Sequence, residues 1–496
     1  MAAPLAWLNY NTPAVATDDG FTQKWRTIVQ SNSELSEDQL MKKVAWRLMP
    51  LLIVMFLVSF IDRQNVGFAK LDMVHALHMS EAAYGLGASL FFIGYLLFEI
   101  PSTLALHKYG ARVWLARIMF TWGAVTILLG FTSSLPMFYI LRFMLGVAEA
   151  GFYPGVIYYI TLWFPQIYRT RVLGVFTLGS ALANMLGALV GGLLLNLNGT
   201  LGLEGWQWVF IATGLPAVLL TLVVMLYLPG SIDEAKFLSA AQKAKLNDMM
   251  LRDAPPNATH GNPLAALWDL RVLMFAATYM LMSTSLYGVT YWLPTLVKGF
   301  GVSSTINGLL NMIPWGLAVL LLLWLPGKLR HDRVVYKAIA VIGLLGLVCF
   351  ASSALLDSNV LRFGALVVGG ACITLLYPCF WSLPPKFFQG ARAAASIAAI
   401  NSIGNLGGFF GQNLMPYVGK LTHSNVTPML VPAACLAVLG VGGLAAVNWQ
   451  RKRDLAHEEG LQRAVAVQED GSEDPGAGID LMLDAHPDHM HMPQQK

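Results

Sequence analysis

Five ionisable residues interrupt stretches that are otherwise apolar: Asp62, Arg63, Glu99, Arg142 and Glu149. Successive residues of an α-helix are turned by about 100°, so the adjacent Asp62 and Arg63 cannot point the same way. One can face a cavity while the other faces a neighbouring helix. Arg142 and Glu149 are seven residues apart, which brings them back to within about 20° of one face, ~10 Å along the axis. A carboxyl group away from water has its charged form disfavoured by desolvation and favoured by a nearby arginine. Such a group can take up or release a proton as its surroundings change. Arginine keeps its charge and offers a planar fork of donors to carboxylates. An interior holding both types suits the coupling of a proton to an organic anion. The alternative is a set of ion pairs that only pin helices together, although buried pairs are often no more stabilising than apolar replacements.

Glu99 stands before Pro101, about two turns from His107 and Lys108, and is placed for a structural or gating contact. Polar residues of the second half, namely Tyr377, Trp381, Ser382, Asn401 and Asn405, could complete the site. Asn401 and Asn405, at i and i+4, share one face of an apolar helix. Buried amides require partners, supplied either by other helices or by a ligand. Tyr377 and Trp381 either pack between helices or face the ligand.

The elements that must position these residues follow from composition. The chain has 496 residues, 56% hydrophobic and 12% charged, with a mean hydropathy of +0.57. Soluble domains carry roughly 25% charged residues, so this chain could not keep the surface of several soluble domains in water. Twelve membrane helices of ~20 residues need about 240 apolar-rich positions, which the hydrophobic fraction covers. Disordered, secreted disulfide-rich and nucleic-acid-binding classes are excluded, the net charge of +4 being too small to imply a polyanionic partner. Cys349, Cys372, Cys379 and Cys435 lie in apolar stretches without metal-ligand spacing and read as small core residues. Walker A, HExxH and GxSxG motifs are missing from the sequence, so neither ATP-driven transport nor hydrolysis is supported, and no metal or cofactor is expected.

The apolar runs fall at 46–68, 84–106, 113–132, 137–163, 171–196, 207–228, 271–294, 305–326, 334–356, 360–383, 394–418 and 428–449. Residues 1–45 form a polar N-terminal segment with no cleavable signal. The polar stretch 229–270 divides the chain into six-helix bundles at 46–228 and 271–449. The tail, 450–496, is polar, carries His486, His489 and His491, and is expected to be disordered. Lys70, Lys298, Arg362 and Lys420 fall in odd-numbered loops and Arg63 and Arg142 in spans. The other 26 of the 32 Lys and Arg lie at the opposite ends. By the positive-inside rule, both termini and the central loop are cytoplasmic.

A weak repeat relates the halves, because Gly110-Ala111-Arg112 after span two and Gly327 to Arg333 after span eight are both short basic turns. Parallel repeats with a midplane site are a transporter architecture. Gly187, Gly191 and Gly192 in span five, and Gly404, Gly407, Gly408 and Gly411 in span eleven, form small faces for close packing or for relative movement.

Several stretches resemble a known family. Phe60 to Ala69 (FIDRQNVGFA), Gly94 to Ser102 (GYLLFEIPS) and Arg142 to Pro154 (RFMLGVAEAGFYP) are similar to signatures of the anion:cation symporters of the major facilitator superfamily. Leu162-Trp163-Phe164-Pro165, Gly205-Trp206-Gln207-Trp208 and, more loosely, Asn401 to Asn405 agree with them, over roughly residues 40–450. The resemblance implies an all-α carrier of twelve helices in two six-helix bundles, moving organic anions such as sugar acids, tartrate or aromatic acids with protons by alternating access. It implies Asp62 and Glu149 as the proton-handling pair, and Arg63, Tyr95 and Arg142 as anion-site or gate residues. The first basic turn keeps Gly110 and Arg112 but lacks the Asp-Arg pair of the superfamily's gate motif. Asp332-Arg333 retains that pair in the second half. The expectation is therefore a monomeric, proton-coupled importer of an organic anion in the inner membrane. An exporter or exchanger is the nearest rival, and a transporter-like sensor a more distant one.

Overall fold

The computed structural model of the protein describes residues 35–253, 269–325, 328–329, 332–388 and 391–469. Backbone polar groups in hydrocarbon must be satisfied within their own segment, and the chain answers with long helices. The first half comprises α1 (Glu37–Ala76), α2 (Glu81–Tyr109), α3 (Ala111–Leu129), α4 (Leu135–Glu149), α5 (Phe152–Thr161), α6 (Gln166–Leu194) and α7 (Gly205–Tyr227). A shorter helix, α8 (Ala240–Asp253), lies in the central segment. The second half comprises α9 (Leu270–Lys298), α10 (Ser304–Trp324), α11 (Asp332–Leu355), α12 (Asn359–Trp381), α13 (Ala391–Asn405), α14 (Gly407–Thr422) and α15 (Leu430–Glu469). Among the described residues, eleven helical stretches are long and apolar enough to cross a membrane.

The two apolar runs that differ from single straight spans differ for local reasons. Run 137–163 is α4 followed by α5, broken at Ala150–Gly151, where Gly151 adopts φ +83°. That backbone is costly for any residue with a Cβ, and a Cβ there would also meet Ser102 Oγ of α2 at 2.3 Å. The break ends α4 at Glu149. Run 394–418 is not one helix but α13 and α14, interrupted at Leu406. Neither piece is among the eleven stretches, and together they occupy the place of the one remaining apolar run. Its glycines admit neighbouring groups directly: a Cβ on Gly407 would stand 2.2 Å from the Met280 carbonyl oxygen, and one on Gly408 2.1 Å from the Phe92 ring.

The halves meet along α1 with α9, α2 with α13 and α14, and α6 with α10. Gly192 of α6 and Gly308 of α10 bring two backbones into contact, a Cβ on Gly192 falling 2.6 Å from Gly308 Cα. Nearby, Asn196 Nδ2 donates to Thr305 Oγ1 (2.8 Å), and along the α2–α14 contact Asn413 Nδ2 donates to Ser89 Oγ (2.8 Å). At the other end, α8 ties the central segment to the first half. Lys245 Nζ donates to the Leu35 carbonyl (2.8 Å), and Asp253 accepts from the Gln166 backbone N–H at the start of α6 (2.9 Å).

Two expectations are corrected. Lys70 is no loop charge. The first helix runs on to Ala76, and Lys70 is buried (2% exposed) between the halves. Its Nζ pairs with Glu81 (2.6 Å) and donates to Thr295 Oγ1 (3.0 Å), 3.7 Å from the Trp292 ring centroid. The tail, expected to lack structure from residue 450, is helical as far as Glu469. Once a span has nucleated a helix, each further residue adds a hydrogen bond at little cost, and residues 450–469 are mostly strong helix formers. His486, His489 and His491 lie outside the described residues.

The Gly192–Gly308 contact leads to a stability prediction. Gly192→Ala forces a backbone shift, and overpacking of this kind costs roughly 1–3 kcal/mol. The purified protein should therefore unfold at a lower temperature. Gly364→Ala, where a Cβ meets nothing within 4 Å, should leave the midpoint unchanged or raise it. Equal midpoints for both variants would show that the α6–α10 contact does not need glycine.

Candidate functional site

A cavity lies between the halves. Phe56, Ser59, Phe60 and Arg63 of α1, Tyr95 of α2, Phe152 and Tyr153 of α5, and Ser180 and Asn184 of α6 line it from the first half. Tyr279, Leu286 and Tyr287 of α9, Leu322 of α10, Thr374, Tyr377 and Trp381 of α12, and Asn401 and Asn405 of α13 line it from the second.

The helical turn between Asp62 and Arg63 separates them as the 100° rotation requires. Arg63 faces the cavity. Its Nε donates to Glu149 Oε1 (2.7 Å) and its Nη1 to Tyr287 OH (3.0 Å), so it bridges α4 and the second half. Phe60, Phe91 and Tyr95 surround the guanidinium, with ring centroids 5.4, 5.4 and 5.2 Å away. Such contacts favour a cation that has lost part of its hydration. Glu149 is fully buried at the end of α4, and its Oε2 has no hydrogen-bond partner among the described residues. Buried polar atoms are nearly always paired, so this oxygen marks a place where hydrogen bonding can change.

Asp62 faces away from the cavity into the first half. It accepts from Asn65 Nδ2 (3.1 Å) and from Thr126 Oγ1 of α3 (3.0 Å), and Asn65 also reaches Thr213 Oγ1 of α7 (3.1 Å). Arg142 does not line the cavity. Its Nη2 donates to the Ala88 carbonyl of α2 (2.8 Å), and its Nε is unpartnered among the described residues. Arg142 and Glu149 are thus both buried, but only Glu149 meets the cavity's cation.

Glu99 links the halves. Its Oε1 accepts from Asn401 Nδ2 (3.1 Å) and its Oε2 from the Ser402 hydroxyl. The Asn401 amide is accordingly engaged by a carboxylate, while Tyr95, Tyr377, Trp381 and Asn405 take places on the cavity wall. Arg112 lies apart from the cavity and pairs with Glu234 of the central segment (2.9 Å). Arg333 is exposed at the start of α11, and the Asp332 side chain lies outside the described residues.

Tyr287, Tyr279 and the Gln64–Asn184 hydrogen bond joining α1 to α6 were not anticipated from sequence. A signal existed for Tyr287: Ser283, Thr284, Ser285, Tyr287, Thr290 and Tyr291 form a polar patch inside an apolar run. Among the described residues, no cluster of His, Cys, Asp or Glu is placed to hold a metal.

Two bundles with a cavity at their interface and buried charges in the first bundle correspond to a known pattern, and the Major Facilitator Superfamily model matches residues 52–412. The chain belongs to the major facilitator superfamily. It is 45% identical to a quinolone resistance transporter of Acinetobacter baumannii, over 76% of this chain and 87% of that one. It is 40% identical to a putative tartrate transporter of Agrobacterium vitis and 38% identical to the putative metabolite transport protein NicT of Pseudomonas putida, each over 83% of this chain and 95% of the relative. Among solved structures, a bacterial homologue of the lysosomal transporter Spinster, inward-facing and unoccupied, superposes with a TM-score of 0.62 at 17% identity, covering 81% of this chain and 94% of that one. The inward-open xylose transporter XylE of E. coli gives 0.62 at 14% identity, covering 80% and 95%. These likenesses show the fold. As a major facilitator superfamily member the chain is a multi-pass membrane transporter of a small molecule, not an enzyme, and the tartrate and metabolite transporters fit the anion:cation symporter resemblance of its motifs.

The Asp62 network can be tested by substitution. Asp62→Ala leaves the Asn65 amide and Thr126 hydroxyl without their acceptor, a loss of about 1–3 kcal/mol for buried groups. Asp62→Asn keeps an acceptor oxygen and should lose less than half as much, read as the shift in thermal unfolding midpoint. Equal losses would mean that the carboxylate's hydrogen bonds do not hold α1 to α3.

Proposed function

We propose that the chain is a proton-coupled importer of an organic anion in the inner membrane, working by alternating access with both termini in the cytoplasm. The observation that carries this reading is the Arg63–Glu149 pair at the cavity wall. In a water-poor interior a guanidinium needs a negative partner. Either ionised Glu149 or the substrate's carboxylate can fill that role, but both together compete for one fork of donors. Protonation of Glu149 frees Arg63 for the substrate, so anion and proton are loaded together. When the substrate leaves, Glu149 gives up its proton and recovers Arg63. Asp62, one residue away and held by Thr126 and Asn65, is the second acid through which the proton passes.

Glu99 with Asn401 and Ser402 acts as a gate contact, made while the halves are close at that level and released as they part. Arg112, Asp332 and Arg333 are assigned to the gate near the central segment, where Arg112 holds Glu234. The bias of Lys and Arg toward the ends that carry the central segment supports its cytoplasmic position. A cavity completed by the two halves of one chain supports a monomer. The names of the relatives agree with a small organic substrate. The Acinetobacter relative, named for quinolone resistance, favours a second reading in which the same proton exchange drives export.

Two outcomes are expected in proteoliposomes. With an imposed pH gradient, wild-type protein accumulates its anion against a concentration gradient. Glu149→Gln abolishes uphill accumulation and leaves exchange of external for internal substrate. Uphill accumulation by Glu149→Gln at the wild-type rate would overturn the coupling. Arg63→Lys keeps the charge but cannot bridge Glu149 and Tyr287 as a fork, so it should weaken substrate binding about tenfold or more, or ~1.4 kcal/mol. Unchanged binding would move the anion site away from Arg63.

A further inference from the structure

The composition of the cavity wall narrows the substrate class. Half of the residues lining the cavity are aromatic, and Arg63 is the single charged side chain among them. Taking the reading of Arg63 as the anion site, we infer that the substrate is a monocarboxylate bearing an aromatic ring, rather than a dicarboxylate or a polyhydroxy acid.

Charge sets the first limit. With Glu149 protonated, the wall offers one positive charge to the substrate. A second carboxylate would enter a low-dielectric cavity with no cation to offset it, a cost that folded proteins avoid by pairing. The nature of the remaining wall sets the second. Beyond Arg63 and Tyr287, Tyr279 meets Tyr377 at 80° and Trp381 at 65°, with centroids 5.8 and 5.1 Å apart. Rings held at steep angles present both edges and faces, the arrangement that receives another ring in offset-stacked or edge-to-face geometry. Helix packing alone explains less, because a buried core would favour aliphatic residues without polar atoms. Here Tyr95, Tyr279, Tyr287 and Tyr377 bring hydroxyl groups to the same wall. A substrate with its carboxylate at Arg63 and its ring toward Tyr279, Tyr377 and Trp381 would use both features. Of the wall's three amides, Asn401 is held by Glu99 and Asn184 by Gln64, so a chain of hydroxyl groups would meet fewer open amides than a ring meets aromatic neighbours.

The test is isothermal titration of the purified full-length protein with benzoate, 3-phenylpropionate, gluconate, succinate and 3-phenylpropionamide. The tighter of the two aromatic acids should bind at least about tenfold more strongly than gluconate or succinate, a difference of ~1.4 kcal/mol. The amide should bind at least as weakly as gluconate. Trp381→Leu should erase most of the ring preference, bringing the affinity for the tighter aromatic acid to within about threefold of that for gluconate. Tyr377→Leu on the same wall serves where Trp381→Leu does not give a monodisperse protein. Gluconate or succinate binding as tightly as the aromatic acids, or a ring preference unchanged in both variants, would overturn the inference and leave the anion site standing. Amide binding equal to that of 3-phenylpropionate would overturn the anion site itself. Absence of binding by either aromatic acid would overturn the inference whatever the other ligands do.

Discussion

A positive charge held away from water has to have a negative partner, and around Arg63 much of the cavity is arranged to meet that condition. Its guanidinium reaches Glu149 on α4 and Tyr287 on α9 and lies among Phe60, Phe91 and Tyr95. One side chain thus joins three elements across the two halves. Desolvation makes the pairing strict, since removing one partner of a buried pair costs far more than replacing both. Strictness of this kind is what the proposed coupling uses. If only one anion can satisfy Arg63 at a time, the arrival of a substrate carboxylate and the neutralisation of Glu149 become a single event.

Backbone geometry delivers the charges to that point. Glu149 meets Arg63 from the end of α4, where the left-handed Gly151, close against Ser102, breaks the helix. On the opposite side, the interruption at Leu406 separates α13, which carries Asn401 and Asn405, from α14, whose glycines let α9 and Phe92 approach. Breaks within spans are tolerated at membrane depth only where the freed backbone is buried in protein or lines a cavity. Both breaks meet that condition. Lys70 sits at a comparable meeting point further along α1, buried against Thr295, Trp292 and Glu81.

Hydropathy and charge revealed the two bundles, the residues inside them and the divergence of Asp62 from Arg63, because those features depend on rotation along a single helix. What stayed hidden depends on a second helix. Arg142 shares a helical face with Glu149, yet it is turned to the Ala88 carbonyl, and nothing within α4 announces that partner. By hydropathy Lys70 reads as a loop charge, because the apolar run ends near Phe68, whereas the helix continues to Ala76. Tyr287 is one polar residue among several in its run, and only the approach of α1, which brings Arg63 beside it, singles it out. The tail beyond residue 450 has the composition of a disordered segment, but it is continuous with a span that had already nucleated its helix.

The exchange of partners at Arg63 has a direct thermodynamic signature. If a ligand's carboxylate displaces Glu149, the displaced carboxylate takes up a proton, and ligand binding is linked to pH. Titrating a bound carboxylate ligand into the purified protein, in buffers of different ionisation enthalpy, counts those protons. Competition at Arg63 predicts uptake of about one proton per ligand bound, with affinity rising as pH falls, and uptake near zero in Glu149→Gln. Ligand binding by wild-type protein with no proton uptake, at an affinity that does not change with pH, would contradict it.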